Sequence, residues 1–159
     1  MRLLAPAAIA IVASNLTPLS KADSQSRIVA AGVTFRCTPV AVYDGDGPVW
    51  CREGPHIRLS GIAAREMDGT CRSNQPCPTA TAIQARDALV RLLGGAKGTL
   101  PTGHVIVSGP VLTCHSLGSA GGTRTAAWCA SPATGDISCR MMASGTVLQW
   151  ARYWSDHRC

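Results

Sequence analysis

The sequence predicts an α+β fold, mainly β, in which a five-stranded barrel carries two helices and is stapled by disulfides. Short segments that alternate apolar and polar residues recur along the chain, separated by glycine, proline and aspartate, a pattern typical of strands and turns. Two stretches place apolar residues at helical spacing. Eight cysteines occur in 159 residues, and this density is typical of small disulfide-linked domains.

Length and composition fit one domain. A chain of 159 residues is long enough to bury one core. Hydrophobic residues make up 46% and the mean hydropathy is +0.13, values that exclude a largely disordered chain. The sequence shows no internal repeat and no second domain, and we expect a monomer.

The N-terminus has the pattern of an export signal. Met1-Arg2 precedes the apolar run of residues 3–13, which is too short to span a bilayer, and a polar tract follows. A buried N-terminal helix is the alternative. We predict a signal peptide and mobile lead-in over residues 1–26 and a single domain over residues 27–159. The mature chain is therefore expected to be secreted or periplasmic, with no membrane span.

The predicted mature chain is basic, and almost all its positive charge is arginine. Removing residues 1–26 takes away Arg2, Lys21 and Asp23 and lowers the net charge from +6 to +5. Lys97 is then the only lysine. Because guanidinium groups bind phosphates in two-point fashion, this bias suits a polyanionic partner. A merely solubilising surface is the alternative.

The first half of the chain predicts three strands, in a meander. Residues 33–43 alternate, with a break at Pro39, and residues 49–51 and 56–61 follow. Asp44-Gly45-Asp46-Gly47 forms the turn after the first strand, since aspartate and glycine tolerate the backbone angles of tight turns.

A helix follows, from Thr79 or Thr81 as cap to Leu93, with Gly94-Gly95 ending it. Its apolar stripe is Ala85, Ala88, Leu89 and Leu92. Residues 94–103 and 116–122, rich in glycine, are predicted loops. Residues 105–107 with 111–112, and 124–130, supply the remaining strands. A second helix is expected over residues 135–144, before an apolar, aromatic tail at 147–154. Five strands with a helix between the third and fourth describe an OB-fold barrel.

The cysteines predict two specific bridges. Cys71 and Cys77 are close enough to close the loop after Glu66, and Cys129 and Cys139 flank the turn into the second helix. The other four are left unassigned: Cys37, Cys51, Cys114 and Cys159. No paired cysteine or histidine spacing indicates zinc, so the histidines are interpreted as structural or surface residues.

Three motifs carry the inventory that phosphodiester cleavage needs. They are Asp44-Gly45-Asp46, then Arg58-Leu59-Ser60-Gly61-Ile62 with Glu66, then Arg124-Thr125-Ala126-Ala127-Trp128. A hard cation binds oxygen ligands, an attacking water needs a base, and a phosphate that gathers charge needs a guanidinium. Each piece alone has a plainer interpretation, as a turn, a salt bridge or a surface carboxylate.

In this order and spacing the motifs resemble the staphylococcal nuclease (thermonuclease-like) family, over residues 33–153. The resemblance implies an OB-fold nuclease that cuts DNA and RNA and leaves 3′-phosphates. We expect the nucleic-acid partner to be single-stranded. The resemblance implies that Arg58 and Arg124 clamp the phosphate and that Glu66 activates water. It also implies a Ca²⁺ site with Asp46 and the backbone carbonyl of Ala64 as ligands and Asp44 acting through water.

The sequence departs from the family pattern at the metal and before the second arginine. Ala63 stands where the family has a second metal-binding aspartate, and Arg65 replaces a proline. Gly121, Gly122 and Thr123 stand where a tyrosine and a basic residue are usual. Weak calcium binding is therefore expected. A catalytically impaired OB-fold module that binds nucleic acid or another polyanion is the alternative function, and an envelope scaffold a third.

Overall fold

The protein is mainly β, with three helices and a curled, half-barrel sheet. The computed structural model describes residues 27–159, so the predicted signal peptide and lead-in over residues 1–26 lie outside the described residues. The α+β class is as predicted.

The strands are short, and they are β1 (Thr34–Cys37), β2 (Pro39–Val42), β3 (Val49–Cys51), β4 (His56–Leu59), β5 (Ile62–Ala63), β6 (Ala96–Thr99), β7 (Val105–Val107), β8 (Leu112–Ser119), β9 (Arg124–Ser131), β10 (Gly135–Asp136) and β11 (Leu148–Gln149). The helices are α1 (Ala82–Leu92), α2 (Ile137–Ala143) and α3 (Ala151–Trp154).

One sheet contains nine of these strands. Eight follow the order β1-β8-β9-β4-β3-β2-β7-β6, and β10 pairs with β9. All pairs in this sheet are antiparallel except β4 with β9. β11 pairs with β5 in a separate two-stranded sheet. The strand count exceeds the predicted five partly because the predicted segments at 33–43 and 105–112 each divide at a proline.

Both predicted glycine-rich loops contain strand. β8 runs on through Ser119, since Ser116 pairs with Ala127 and Gly118 with Ala126 across a bulge. Gly118 allows the bulge, because its φ angle of +92° is one that glycine adopts readily. β6 lies at the sheet edge and pairs with β7. The loop predictions were wrong at these points because a paired neighbour outweighs low strand propensity.

The predicted helices are present, with shifted ends. Thr81 caps α1, and its hydroxyl accepts from the Gln84 N–H while the Gln84 side chain accepts from Thr81 N–H. α2 begins two residues later than predicted, because Gly135 and Asp136 pair with β9. Asp136 instead caps α2 by accepting from the Cys139 N–H at 2.8 Å. α3 is one turn within the predicted aromatic tail.

The core lies between the curled sheet and the inner faces of α1 and α2. Its largest fully buried apolar side chains are Ile57, Leu59, Ile62, Leu89, Leu93, Leu112, Ile137 and Met141. α1 also packs on the Asp44–Asp46 turn, since a Cβ on Gly45 would lie 2.3 Å from the Cβ of Ala85. Helix packing thus depends on glycine at the centre of this turn.

Four disulfides link all eight cysteines: Cys37–Cys51, Cys71–Cys77, Cys114–Cys129 and Cys139–Cys159. The predicted Cys71–Cys77 bridge is confirmed. The predicted Cys129–Cys139 bridge is wrong, because Cys114 and Cys129 lie opposite each other in the β8–β9 pair, whereas Cys139 fastens the C-terminus. Four bridges indicate an oxidising compartment. No helix among residues 27–159 has the length and apolar character needed to span a membrane.

Candidate active site

Arg58 and Arg124 project from neighbouring strands on one face of the sheet. β4 and β9 pair in parallel with His56 opposite Arg124, and Arg58 lies two residues beyond His56. Because strand side chains alternate with a period of two, both arginines lie on the same side. Ile57 and Thr125 face the opposite side and are fully buried. The register therefore brings two guanidinium groups from distant parts of the chain to one surface.

A cleft of about 440 Å³ lies over this face. The three predicted catalytic residues, Arg58, Glu66 and Arg124, all line it, and so do Asp44 and Asp46. The remaining polar and aromatic lining is Ser60, Arg72, Gln75, Ser119, Trp150, Arg152, Tyr153 and Ser155. The three predicted catalytic residues are thus brought together with Asp44 and Asp46, whereas Arg72, Gln75 and Arg152 were not predicted as part of the site.

The Asp44–Asp46 turn forms the acidic floor of the cleft. Both side chains are buried, and Asp44 Oδ1 accepts from the Asp46 N–H at 3.1 Å. Burial, together with the neighbouring Asp46 carboxylate, raises the pKa of Asp44 to about 8. Burial also raises the pKa of Asp46, although Arg58 opposes this effect. The turn therefore places two buried carboxyl groups, whose desolvation is unfavourable, in the cleft that Arg58 and Arg124 line.

Arg58 is held by three acceptors. Its Nη2 lies 2.8 Å from Asp46 Oδ2 and 3.1 Å from the Ile62 carbonyl oxygen, and its Nη1 donates to Leu59 O at 2.6 Å. The guanidinium carbon also lies 6.0 Å from the Trp150 ring centre, within cation–π range. Arg58 is consequently a fixed group, with its orientation set before any ligand arrives.

Glu66 follows β5 and is paired with an arginine that was not predicted. Arg72 Nε lies 2.7 Å from Glu66 Oε1, and Arg72 Nη2 lies 3.3 Å from Oε2. A tight turn precedes Arg72, since Glu66 N–H donates to Thr70 O at 2.9 Å. The carboxylate predicted as the base is therefore oriented by a guanidinium from the next loop.

Arg124 is held more loosely than Arg58. Its Nε lies 3.4 Å from Gly121 O and its Nη2 3.3 Å from Ala120 O. Residues 120–123 form a hydrogen-bonded turn, with Ala120 N–H donating to Arg124 O at 2.8 Å. This turn is shorter than the loop expected before Arg124. Because the contacts of the Arg124 guanidinium are long, the side chain is able to reorient.

The C-terminal segment forms one wall of the cleft. β11 pairs with β5, and Trp150 N–H donates to Gly61 O at 2.7 Å. Trp150 meets Tyr153 edge-on at 4.8 Å. Arg152 also lines the cleft, although its exposed position in an aromatic tail offered no sequence signal. The tail thus supplies aromatic rings and a fourth arginine to the cleft.

The disulfide loop, residues 71–77, supplies Arg72 and Gln75. Gln75 Nε2 donates to the Ala64 carbonyl oxygen at 2.5 Å. Arg65 supports the same region by donating to Gly69 O at 2.8 Å and to Pro78 O at 2.7 Å. The cysteines that flank the loop were the only signal that these side chains are fixed.

The predicted calcium ligands do not fit a cation. Asp46 Oδ2 is bonded to the Arg58 guanidinium and to the Ala64 N–H, at 2.8 Å each. The Ala64 carbonyl accepts from Gln75. Ala63 has no oxygen in its side chain and is fully buried. The two predicted direct ligands thus already accept hydrogen bonds from a guanidinium, a backbone N–H and an amide. This arrangement does not suit Ca²⁺, which needs oxygen atoms that are available to coordinate it.

One other group of potential ligand atoms lies within residues 27–159, namely Asp136, Cys139 and His157. The Cys139 sulfur is bonded to Cys159, so it is not a thiolate ligand. His157 Nε2 lies 3.1 Å from Asp136 Oδ2, and its ring stacks on Trp128 at 3.6 Å. This group fastens the C-terminus and is structural.

Comparison with protein-family models, with curated proteins and with solved structures gave no match. The nuclease resemblance therefore stays a hypothesis that rests on the three sequence motifs.

Proposed function

We propose that the chain hydrolyses phosphodiester bonds in single-stranded DNA or RNA, as a nuclease on a barrel of the OB-fold type that works in the periplasm or outside the cell. The observation that carries this proposal is that Arg58, Glu66 and Arg124 line one cleft, although they come from β4, the segment after β5, and β9. Four arginines and three carboxyl groups line the cleft, a balance that favours an anionic ligand.

The reaction begins with neutralisation, because a phosphodiester repels an incoming hydroxide. Arg58 and Arg124 bind the non-bridging oxygens and stabilise the charge that grows on them in the transition state. Glu66 takes a proton from water as the water oxygen bonds to phosphorus. The bond between phosphorus and the 5′ oxygen breaks, and that oxygen takes a proton from solvent. The products are a 3′-phosphate and a 5′-hydroxyl.

The two arginines divide the work. The described contacts of Arg58 use three of its five N–H groups, and the fixed guanidinium acts as a preorganised donor. Arg124 gives up only long contacts when it turns towards a phosphate. One arginine therefore sets the position of the phosphorus, and the other closes on it.

The test is cleavage of a 5′-labelled single-stranded oligonucleotide by oxidised protein comprising residues 27–159. The wild type should cleave and leave 3′-phosphate ends. Glu66→Gln keeps the shape of the base but removes its charge, so cleavage should fall at least about 100-fold. Asp87→Asn, on an exposed helix position, is the matched control and should keep full activity. A Glu66→Gln variant as active as the wild type would refute the assigned base.

Binding without cleavage is the second candidate function. The alanine at position 63 favours it, because the carboxylate expected there to bind a catalytic cation is absent. In that case the oligonucleotide stays intact but binds, with an affinity that falls steeply as salt rises. Fluorescence anisotropy with the same oligonucleotide separates the two functions.

A further inference from the structure

The disulfide loop contacts Ala64 and Glu66, which follow Ala63 in the sequence, the position where a metal-binding carboxylate was expected. Gln75 donates to the carbonyl of Ala64 at 2.5 Å, and Arg72 pairs with Glu66 at 2.7 Å. One rigid loop thus fastens the segment between β5 and Glu66 at two points.

The loop is built to hold these contacts. The Cys71–Cys77 bridge closes it, and Gln75 N–H donates to Arg72 O at 3.0 Å. Its C-terminal end is tied by Arg65, which donates to Pro78 O at 2.7 Å. Gln75 and Arg72 therefore reach the segment from a braced support rather than from a free loop.

Arg58 completes the arrangement on the other side. Its Nη2 lies 2.8 Å from Asp46 Oδ2, and their side chains are 16% and 9% exposed. A buried carboxylate needs a charge partner, and here the partner is a guanidinium. Each predicted direct ligand thus has a protein donor.

We infer that Gln75, Arg72 and Arg58 together do the organising work of a divalent cation, so that the cleft acts on phosphodiesters without a bound metal. This inference rests on the proposed function. Gln75 is a positioning residue: it holds the Ala64 backbone, and Glu66 follows two residues later. Arg72 orients the Glu66 carboxylate itself, and Arg58 supplies the positive charge at Asp46.

The first test is a calcium titration of the wild-type protein without substrate. A ligand that binds only the folded state raises the melting temperature with concentration. We expect no shift of Tm with millimolar Ca²⁺ beyond that of the Asp46→Asn variant. A saturable rise in the wild type that Asp46→Asn abolishes would overturn the inference. Because this readout needs no activity, it decides the metal question even if the wild type cleaves nothing, an outcome that would refute the proposed function.

The second test measures oligonucleotide cleavage in EDTA and in Ca²⁺. The wild type should have the same rate in both, within about twofold; loss in EDTA with rescue by Ca²⁺ would contradict the inference. Gln75→Met keeps the length of the side chain but removes its donor, and kcat should fall about tenfold or more with little change in KM. Unchanged kcat would remove the positioning role from Gln75.

Gln75→Glu is the sharpest variant, because it places a carboxylate beside the Ala64 carbonyl. Together with Ala63→Asp it should create a calcium-dependent protein, with a Tm that rises on Ca²⁺ addition. Gln149→Glu, on the exposed face of β11, is the matched control and should stay independent of calcium. If Ala63→Asp alone tightens calcium binding as much as the double variant, Gln75 does not stand in the place of the cation.

Discussion

Arg72 forms two contacts with the Glu66 carboxylate: Nε lies 2.7 Å from Oε1, and Nη2 lies 3.3 Å from Oε2. The Arg72 side chain is 58% exposed, so this pair contributes at most about 1 kcal/mol to stability. In the mechanism that we propose, this pair serves to orient the Glu66 carboxylate, because an aligned base loses less freedom when water arrives.

Replacement of Arg72 should separate activity from stability. We expect Arg72→Gln to lower kcat about tenfold, because the freed Glu66 samples unproductive rotamers, while the free energy of unfolding changes by less than about 1 kcal/mol. Steady-state cleavage and urea unfolding measure the two effects. Arg91→Gln, on the exposed side of α1, is the control. A faster Arg72→Gln enzyme would show that Arg72 restrains the base instead.

The two arginines of the cleft should differ in their structural importance. Arg58→Ala leaves Asp46 buried without its partner and should destabilise the fold by about 3–5 kcal/mol, whereas Arg124→Ala should cost less than about 1 kcal/mol because its contacts are long. Both should lower kcat by about 100- to 1,000-fold. Urea midpoints and single-turnover cleavage give the comparison. Equal loss of stability would contradict the distinction between a fixed and a loose guanidinium.

Removal of one disulfide should mainly lower stability, and removal of another should mainly lower activity. Cys139–Cys159 closes a longer loop than Cys71–Cys77, with sequence separations of 20 and 6. Chain entropy predicts losses of roughly 3 and roughly 2 kcal/mol when each is replaced by two serines. The shorter bridge should nevertheless cost more kcat, since it braces Arg72 and Gln75. Thermal unfolding and cleavage of both double variants test this; an intact rate without Cys71–Cys77 would count against the braced loop.

Gly61 lies directly against the rings of Trp128 and Trp154. A Cβ there would lie 2.3 Å from a Trp128 ring atom and 2.7 Å from Trp154, and the φ angle is +71°. We expect Gly61→Ala to destabilise the protein by more than about 2 kcal/mol, since both clash and backbone strain oppose it. Gly54→Ala has φ +108° but open space, so it measures the strain alone. Similar urea midpoints for the two variants would exclude a packing effect.

Asp44 should make stability fall as pH rises. Burial and the Asp46 carboxylate raise its folded-state pKa from 3.8 to about 8, so between these values the folded state holds a proton that the unfolded state has lost. The free energy of unfolding should therefore drop by about 1 kcal/mol per pH unit between pH 6.5 and 8. Burial lowers the pKa of His56 and of His104, which places their titration below this window.

Asp44→Asn should make that dependence shallower, because the amide does not ionise and only Asp46, whose pKa burial also raises, still contributes from this turn. Arg58, Asp46 and Glu66 are the charged groups that act on Asp44, and none of them changes in this variant. Asp87→Asn should keep the wild-type slope. Urea unfolding at several pH values measures it, and an equally steep slope in Asp44→Asn would assign the effect to another group.

Local signals in the sequence predicted those parts of the fold that depend on neighbours along the chain. Thr81 and Gln84 form a complete capping box, so the start of α1 was predictable. Strand register was not, because the pairing of Cys114 with Cys129 depends on β8 and β9 aligning across the sheet. The prediction of Cys129–Cys139 failed because it used closeness in sequence as a substitute for that alignment.

The residues of the candidate site likewise fall into those that a local motif predicts and those that it does not. Arg58, Glu66 and Arg124 lie in recognisable motifs, and the structure puts them in one cleft. Arg72 and Gln75 belong to no motif, because their positions depend on a disulfide and on the contacts of Arg65 with Gly69 and Pro78. Side chains whose placement depends on several distant contacts are those that a pattern of residues does not reveal.

The parallel pairing of β4 with β9 means that the candidate site takes its second arginine from a late part of the chain. Parallel neighbours need a long crossover, so a nascent chain that has emerged only as far as α1 carries Arg58 and Glu66, and has β3 beside β4, but lacks β9, which carries Arg124. The second guanidinium arrives late in synthesis, and the wall that contains Trp150 later still. The nuclease activity that we propose therefore requires β9, and a form truncated before this strand should not cleave the oligonucleotide.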